Sequence, residues 1–125
     1  ADTVRQGLHT VQMTVDGHTI FADAVEAMSR LSRQACDAAG VNIEEIDCFI
    51  PHQANLKIMS AVAVDLGIPL EKVMVTIHYT GNTTSGTIPY AIDAARRERR
   101  ISAGNLVLLA AAGAGYSGGA ALFRM

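Results

Sequence analysis

From Leu106 to Ala112 the chain carries no polar side chain. The run is too short for a membrane helix, which needs roughly 20 apolar residues, and it has the length of a strand. A strand without polar alternation offers water no face, so both of its faces must be covered. That requirement points to a layered α/β domain. Gly113 to Gly119 reads as a glycine-rich turn, and Ala120 to Met125 as a last strand that folds back antiparallel against the run.

The upstream sequence supplies the covering layers. His9 to Thr14 alternates polar and apolar residues, as a half-buried strand does. Asp16-Gly17 reads as a turn. Phe21, Val25, Met28, Leu31, Ala35, Cys36 and Ala39 recur at helical spacing, and Gly40 ends that helix. Ile46 to Ile50 is a strand stopped by Pro51. Asn55 to Leu66 is a helix closed by Gly67, Val73 to Ile77 a β-branched strand, Tyr79 to Gly86 a polar loop, and Thr87 to Arg100 a helix. Strands that alternate with helices predict a mostly parallel sheet, with the closing hairpin making it mixed.

The 125 residues fit one domain, 1–125, and 50% hydrophobic content is enough for a core. A formal charge of −2 gives no field that would attract nucleic acid. No apolar run is long enough to span a membrane, and no signal sequence opens the chain. Cys36 and Cys48 lack metal-ligand spacing and form no disulfide framework, which predicts a reducing, cytoplasmic setting. His9, His18 and His78 show no ligand-like spacing either, so no metal site is expected. The arginines at 96, 97, 99 and 100 read as a solvated helix end that complements the helix dipole, or as a surface for an acidic partner.

In a parallel sheet, ligands gather at the carboxyl ends of the strands. Three segments should converge there: Pro51 to Asn55, Tyr79 to Ser85, and Ala112 to Gly115. His52 titrates near neutrality and suits proton transfer or donation to an oxyanion. Asn82 offers an amide that cannot titrate. Gly113 and Gly115 allow a backbone shape that could aim the Ala114 N–H at a substrate oxygen. Each has a structural alternative: His52 as a helix cap, Asn82 as a loop turn, the glycines as a hairpin. No nucleophile is apparent. Cys36 lies on an apolar helix face and Cys48 within a strand, while Ser85 and Ser117 have no adjacent partner.

Phe49-Ile50-Pro51-His52-Gln53-Ala54-Asn55-Leu56-Lys57, Gly81-Asn82-Thr83-Thr84-Ser85 with Pro89, and Ala112 to Leu122 resemble, in order and spacing, three segments of the 3-oxoacyl-(acyl carrier protein) synthase III family. The resemblance runs from about Val11 to Met125. It implies the later part of the second half of a thiolase-like fold, a duplicated α/β structure whose halves share one active site. By resemblance, His52 and Asn82 belong to a Cys-His-Asn triad whose cysteine lies in the N-terminal half, and they steady the enolate formed when malonyl on acyl carrier protein loses carbon dioxide. The Ala114 N–H would join the oxyanion hole. Asn55 matches a residue near the pantetheine arm, and Gln53, Ala54, Asn55, Leu56 and Lys57 match a region for substrate and carrier protein.

The resemblance further implies an acyl-CoA starter, no cofactor beyond that coenzyme A thioester as substrate, a homodimeric full-length enzyme and a role in starting fatty-acid synthesis. Lys57 stands where the family usually has arginine, and Ala114 where it usually has glycine. The isolated chain is expected to lack condensing activity and to associate with itself through an exposed apolar patch. Two alternatives use the same scaffold: acyl transfer in secondary metabolism, and a noncatalytic subunit that docks a carrier protein.

Overall fold

The computed structural model describes residues 16–125. The strand expected at His9 to Thr14 lies outside them. The described residues form a three-stranded mixed sheet. β1 (Cys48–Pro51) pairs in parallel with β2 (Leu106–Gly113), Cys48 opposite Val107 and Pro51 opposite Ala110. β3 (Ser117–Arg124) returns antiparallel beside β2, with Leu106 opposite Arg124 and Gly113 opposite Ser117. The closing hairpin is therefore as expected.

Both faces of β2 are covered, and this is what its unbroken apolar run requires. Leu106, Leu108 and Ala110 pack in one core with Met28, Cys36, Met59 and Val62, from α1 (Gly17–Ala39) and α2 (Leu56–Leu66). Val107, between them, packs on the opposite side with Ala91, Ala94 and Ala95 from α4 (Thr87–Arg97). Period-two alternation sends neighbouring side chains into different cores. No helix among the described residues is long and apolar enough to cross a membrane.

Helix ends follow local chemistry. The Asp16 side chain accepts the His18 N–H and the Thr19 hydroxyl, so α1 begins at Gly17, earlier than the expected turn and start at Phe21. Asn55 caps α2 by accepting the Lys57 N–H at 2.8 Å, and Gly67 closes it with φ 72°. α4 stops at Arg97, short of the expected Arg100. Arg99 takes φ 57°, and the Arg99 and Arg100 N–H groups return to the carbonyls of Arg96 and Ala95, a Schellman ending. The Arg100 guanidinium then reaches the carbonyls of Val73 and Glu71, so this arginine is a structural tie and not part of a solvated basic end.

Three further expectations need correction. Pro51 does not stop β1 but occupies its last position. The N–H of His52 donates to Ala110 O, so the site of proline's missing N–H faces away from β2, where no ladder bond is lost. The strand expected over Val73 to Ile77 reduces to one bridge, Val73 with Phe49. Beyond it the N–H groups of Thr76 and Ile77 are taken by the Gln53 side chain, and the chain turns into α3 (Ile77–Thr80), within what was expected to be strand and loop. Finally, the glycine-rich turn spans only Ala114 to Tyr116, because Ser117 to Gly119 remain paired in β3. Gly118 is there for closeness: a Cβ would sit 2.9 Å from Leu31 Cδ1 and 3.2 Å from Ala111 O.

Candidate active site

At the carboxyl ends of β1 and β2 lies a cleft of about 720 Å³. Its lining includes His52 just after β1, Asn82 and Thr84 from the segment before α4, Thr87 at the first position of α4, and Gly113 and Ala114 where β2 ends. The three convergent segments expected from the sequence thus meet around one space. Ile88, Ala111 and Ala112 give that space apolar walls.

His52 is anchored through its own backbone, whose N–H reaches Ala110 O at 2.7 Å. Its ring Nδ1 lies 2.5 Å from Thr87 Oγ1. Thr87 is only 1% exposed, and its hydroxyl has no other side-chain or backbone partner among the described residues. With the Thr87 hydroxyl as donor to Nδ1, the proton of the neutral ring lies on Nε2. Burial also pushes the His52 pKa below its ordinary value. Both effects favour a neutral imidazole with an Nε2–H donor. Thr87 was not singled out in the sequence, because a threonine opening a helix reads as ordinary capping.

Asn82 follows Gly81, whose φ of 65° and ψ of −168° suit glycine alone. The Asn82 Oδ1 accepts the Thr84 N–H at 2.9 Å, so its amide orientation is set and its NH2 has no partner among the described residues. Thr84 pays for this turn with φ 54°. Around Ala114 the left-handed conformations fall on Gly115 and Tyr116, at φ 73° and 46°. Alanine therefore occupies its position without that strain.

Two neutral donors beside an apolar wall can hold a developing negative oxygen. They cannot start acyl transfer alone. Both cysteines are buried in the cores, where burial raises their thiol pKa values, and neither lines the cleft. Ser85 and Ser117 do line it, but the His52 Nδ1 pairs with Thr87, and Ser117 Oγ donates to Ala114 O. Thr87 itself is too buried to attack a substrate.

Residues 36–125 match the family described as 3-oxoacyl-[acyl-carrier-protein (ACP)] synthase III C terminal. The chain belongs to that family. A beta-ketoacyl-[acyl-carrier-protein] synthase III from Bordetella petrii is 42% identical over 90% of the chain, yet only 34% of that relative is covered. The chain also resembles the crystal structure of 3-oxoacyl-[acyl-carrier-protein] synthase III from Aquifex aeolicus, with TM-score 0.87 and 41% identity over 91% of this chain and 36% of that one. The Pseudomonas aeruginosa synthase III structure gives TM-score 0.88 at 32% identity, over 98% of this chain and 38% of its own. The fold is thus thiolase-like α/β, and the chain spans about a third of the length of these relatives.

Within this family member, the segment after His52 divides. Asn55, Leu56 and Lys57 are exposed at the start of α2, and Ala54 is half-buried. Gln53 is 0% exposed and bonded entirely to backbone groups. The expectation that Gln53 meets substrate or carrier protein is therefore corrected: a side chain with no exposed surface cannot form a docking contact. Asn55 has a structural task as the α2 cap, though its amide nitrogen stays on the outer surface.

Proposed function

We propose that this chain supplies the decarboxylating half of a condensing acyltransferase. Its substrates are an acyl-CoA starter and malonyl on acyl carrier protein, and the reaction opens fatty-acid synthesis. The nucleophilic cysteine is supplied by an N-terminal half and takes the acyl group from coenzyme A, with no prosthetic group required. In the malonyl thioester the bond to the carboxylate breaks, carbon dioxide leaves, and the electron pair moves onto the thioester oxygen as an enolate. The enolate carbon then attacks the cysteine-bound acyl carbonyl and expels the thiolate.

His52 Nε2–H and the Asn82 NH2 hold the enolate oxygen. The Ala114 N–H serves the oxyanion of the attacked carbonyl. The single observation that carries this reading is the Thr87 to His52 Nδ1 contact: with the hydroxyl as donor, the ring offers its Nε2–H to the cleft shared with Asn82. A general base would need a free ring nitrogen lone pair at the substrate. Decarboxylation needs only donors.

Ala54, Asn55, Leu56 and Lys57 form the entry for the pantetheine arm and the acidic carrier, with Lys57 as the attracting charge. A cytoplasmic, homodimeric enzyme with 1–125 as one domain completes the proposal. In the full-length enzyme, His52→Ala and Asn82→Ala should each lower malonyl-thioester decarboxylation by about 10²–10³ while acylation of the cysteine from acyl-CoA persists. Decarboxylation that survives both substitutions would overturn the assignment.

A further inference from the structure

Gln53 adjoins His52 in sequence but is wholly buried. Its Nε2 donates to Pro51 O at 2.8 Å and Met74 O at 3.1 Å. Its Oε1 accepts the Thr76 N–H at 2.7 Å and the Ile77 N–H at 3.2 Å. Both amide hydrogens and both oxygen lone pairs are thereby used. The pattern also fixes the amide's orientation, since a flip would set NH2 against two N–H groups and oxygen against two carbonyls.

These four partners lie in two segments that lead to the two donors of the cleft. Pro51 immediately precedes His52. Met74 to Ile77 leads through the single turn of α3 to Gly81 and Asn82, and that turn is tight. The Thr80 N–H returns to Thr76 O, the Gly81 N–H to Ile77 O, and the Thr80 hydroxyl contacts both Thr76 O and Gly81 O at 3.0 Å. Backbone pairing alone does not hold the two segments, which share one bridge at Phe49 and Val73 and the Met74 N–H to Phe49 O bond.

We propose that Gln53 is a positioning residue: its amide clamps the His52 segment to the segment carrying Asn82, so that the two donors face one oxygen. The clamp replaces a strand ladder with a side chain. A ladder would continue β pairing past Val73, whereas the amide captures two N–H groups and frees the chain to turn towards the cleft. The catalytic consequence rests on the decarboxylation reading above; the mechanical one does not.

Two variants of the full-length enzyme separate these. Gln53→Met keeps the length and removes all four bonds. Gln53→Glu keeps the reach and the bonds from Thr76 and Ile77, but its carboxylate faces the carbonyls of Pro51 and Met74. Burial and those carbonyls raise its pKa, and the protonated acid regains one donor.

Nitrogen and proton NMR shifts of the His52 ring and the Asn82 side-chain amide are followed against pH, with malonyl-thioester decarboxylation measured alongside. In Gln53→Met both sets of signals should move and kcat should fall about tenfold or more, the loss expected for about 1.4 kcal/mol of misalignment, with KM little changed. In Gln53→Glu the signals should return towards wild-type positions as the pH is lowered, and Gln53→Met should show no such return. Unmoved His52 and Asn82 signals in a folded Gln53→Met protein would overturn the clamp. So would the failure of both variants to fold at any pH, which would make Gln53 a determinant of the whole core. Shifted signals with full decarboxylation would uphold the clamp and overturn the catalytic reading.

Discussion

The Thr87 hydroxyl and the His52 ring are mutually dependent, because each is the partner that the other's burial requires. Thr87→Val should therefore do more than remove a contact. It leaves Nδ1 without a donor and frees the ring to rotate, and a hydrogen bond of this kind is worth about 1 kcal/mol. The expected result is a five- to tenfold fall (about 1 kcal/mol) in decarboxylation, with Thr87→Ser retaining most of the rate. A second consequence concerns pH. His52 binds a proton less readily folded than unfolded, so its contribution to stability is complete above the unfolded value, about pH 6.5, and is lost as the pH falls from there towards the lowered folded value. Urea midpoints at successive pH values should decline through that window, and less steeply in His52→Gln. A midpoint independent of the residue at 52 would contradict the shift.

Between elements, the β2–β3 hairpin lines the cleft and packs against α1. Their fit depends on close approach at Gly118, where a Cβ would crowd the end of the Leu31 side chain of α1 and press on the carbonyl of Ala111. Gly118→Ala should destabilise the protein by about 1–3 kcal/mol, measured by chemical denaturation. Gly119→Ala meets nothing within 4 Å and should be close to neutral, which makes it a direct control. A cost shared equally by both would mean that backbone freedom matters there and close packing does not. The same contrast explains how the glycine-rich end misleads when read as sequence. Glycines in a row suggest a turn, but close approach of a helix demands the same residue, and only packing distinguishes them. Likewise Val73 to Ile77 has the β-branched composition of a strand. Its pairing fails beyond Val73 because a buried amide from another segment competes for its N–H groups.

Over the whole molecule, the described residues complete two cores and one wall of a cleft, while relatives extend to about three times this length. Among the described residues the cleft has donors and no activated nucleophile, which agrees with the proposed function. The proposed carrier surface belongs at this scale too. Lys57→Glu should weaken binding of acidic carrier protein several-fold, roughly 1 kcal/mol for a rim charge, and should remove much of its salt dependence without altering decarboxylation of a free malonyl thioester. Equal binding by both forms would move the docking surface elsewhere. The sequence alone determined the layered α/β class, the closing hairpin, and the meeting of His52, Asn82 and Ala114, because apolar periodicity and strand ends are local properties of a chain. Only tertiary structure decided that His52 Nδ1 meets Thr87, why Gly118 is glycine, and that Gln53 turns inward. Each of these depends on a partner distant in sequence, and a buried polar group takes its role from the partner that satisfies it.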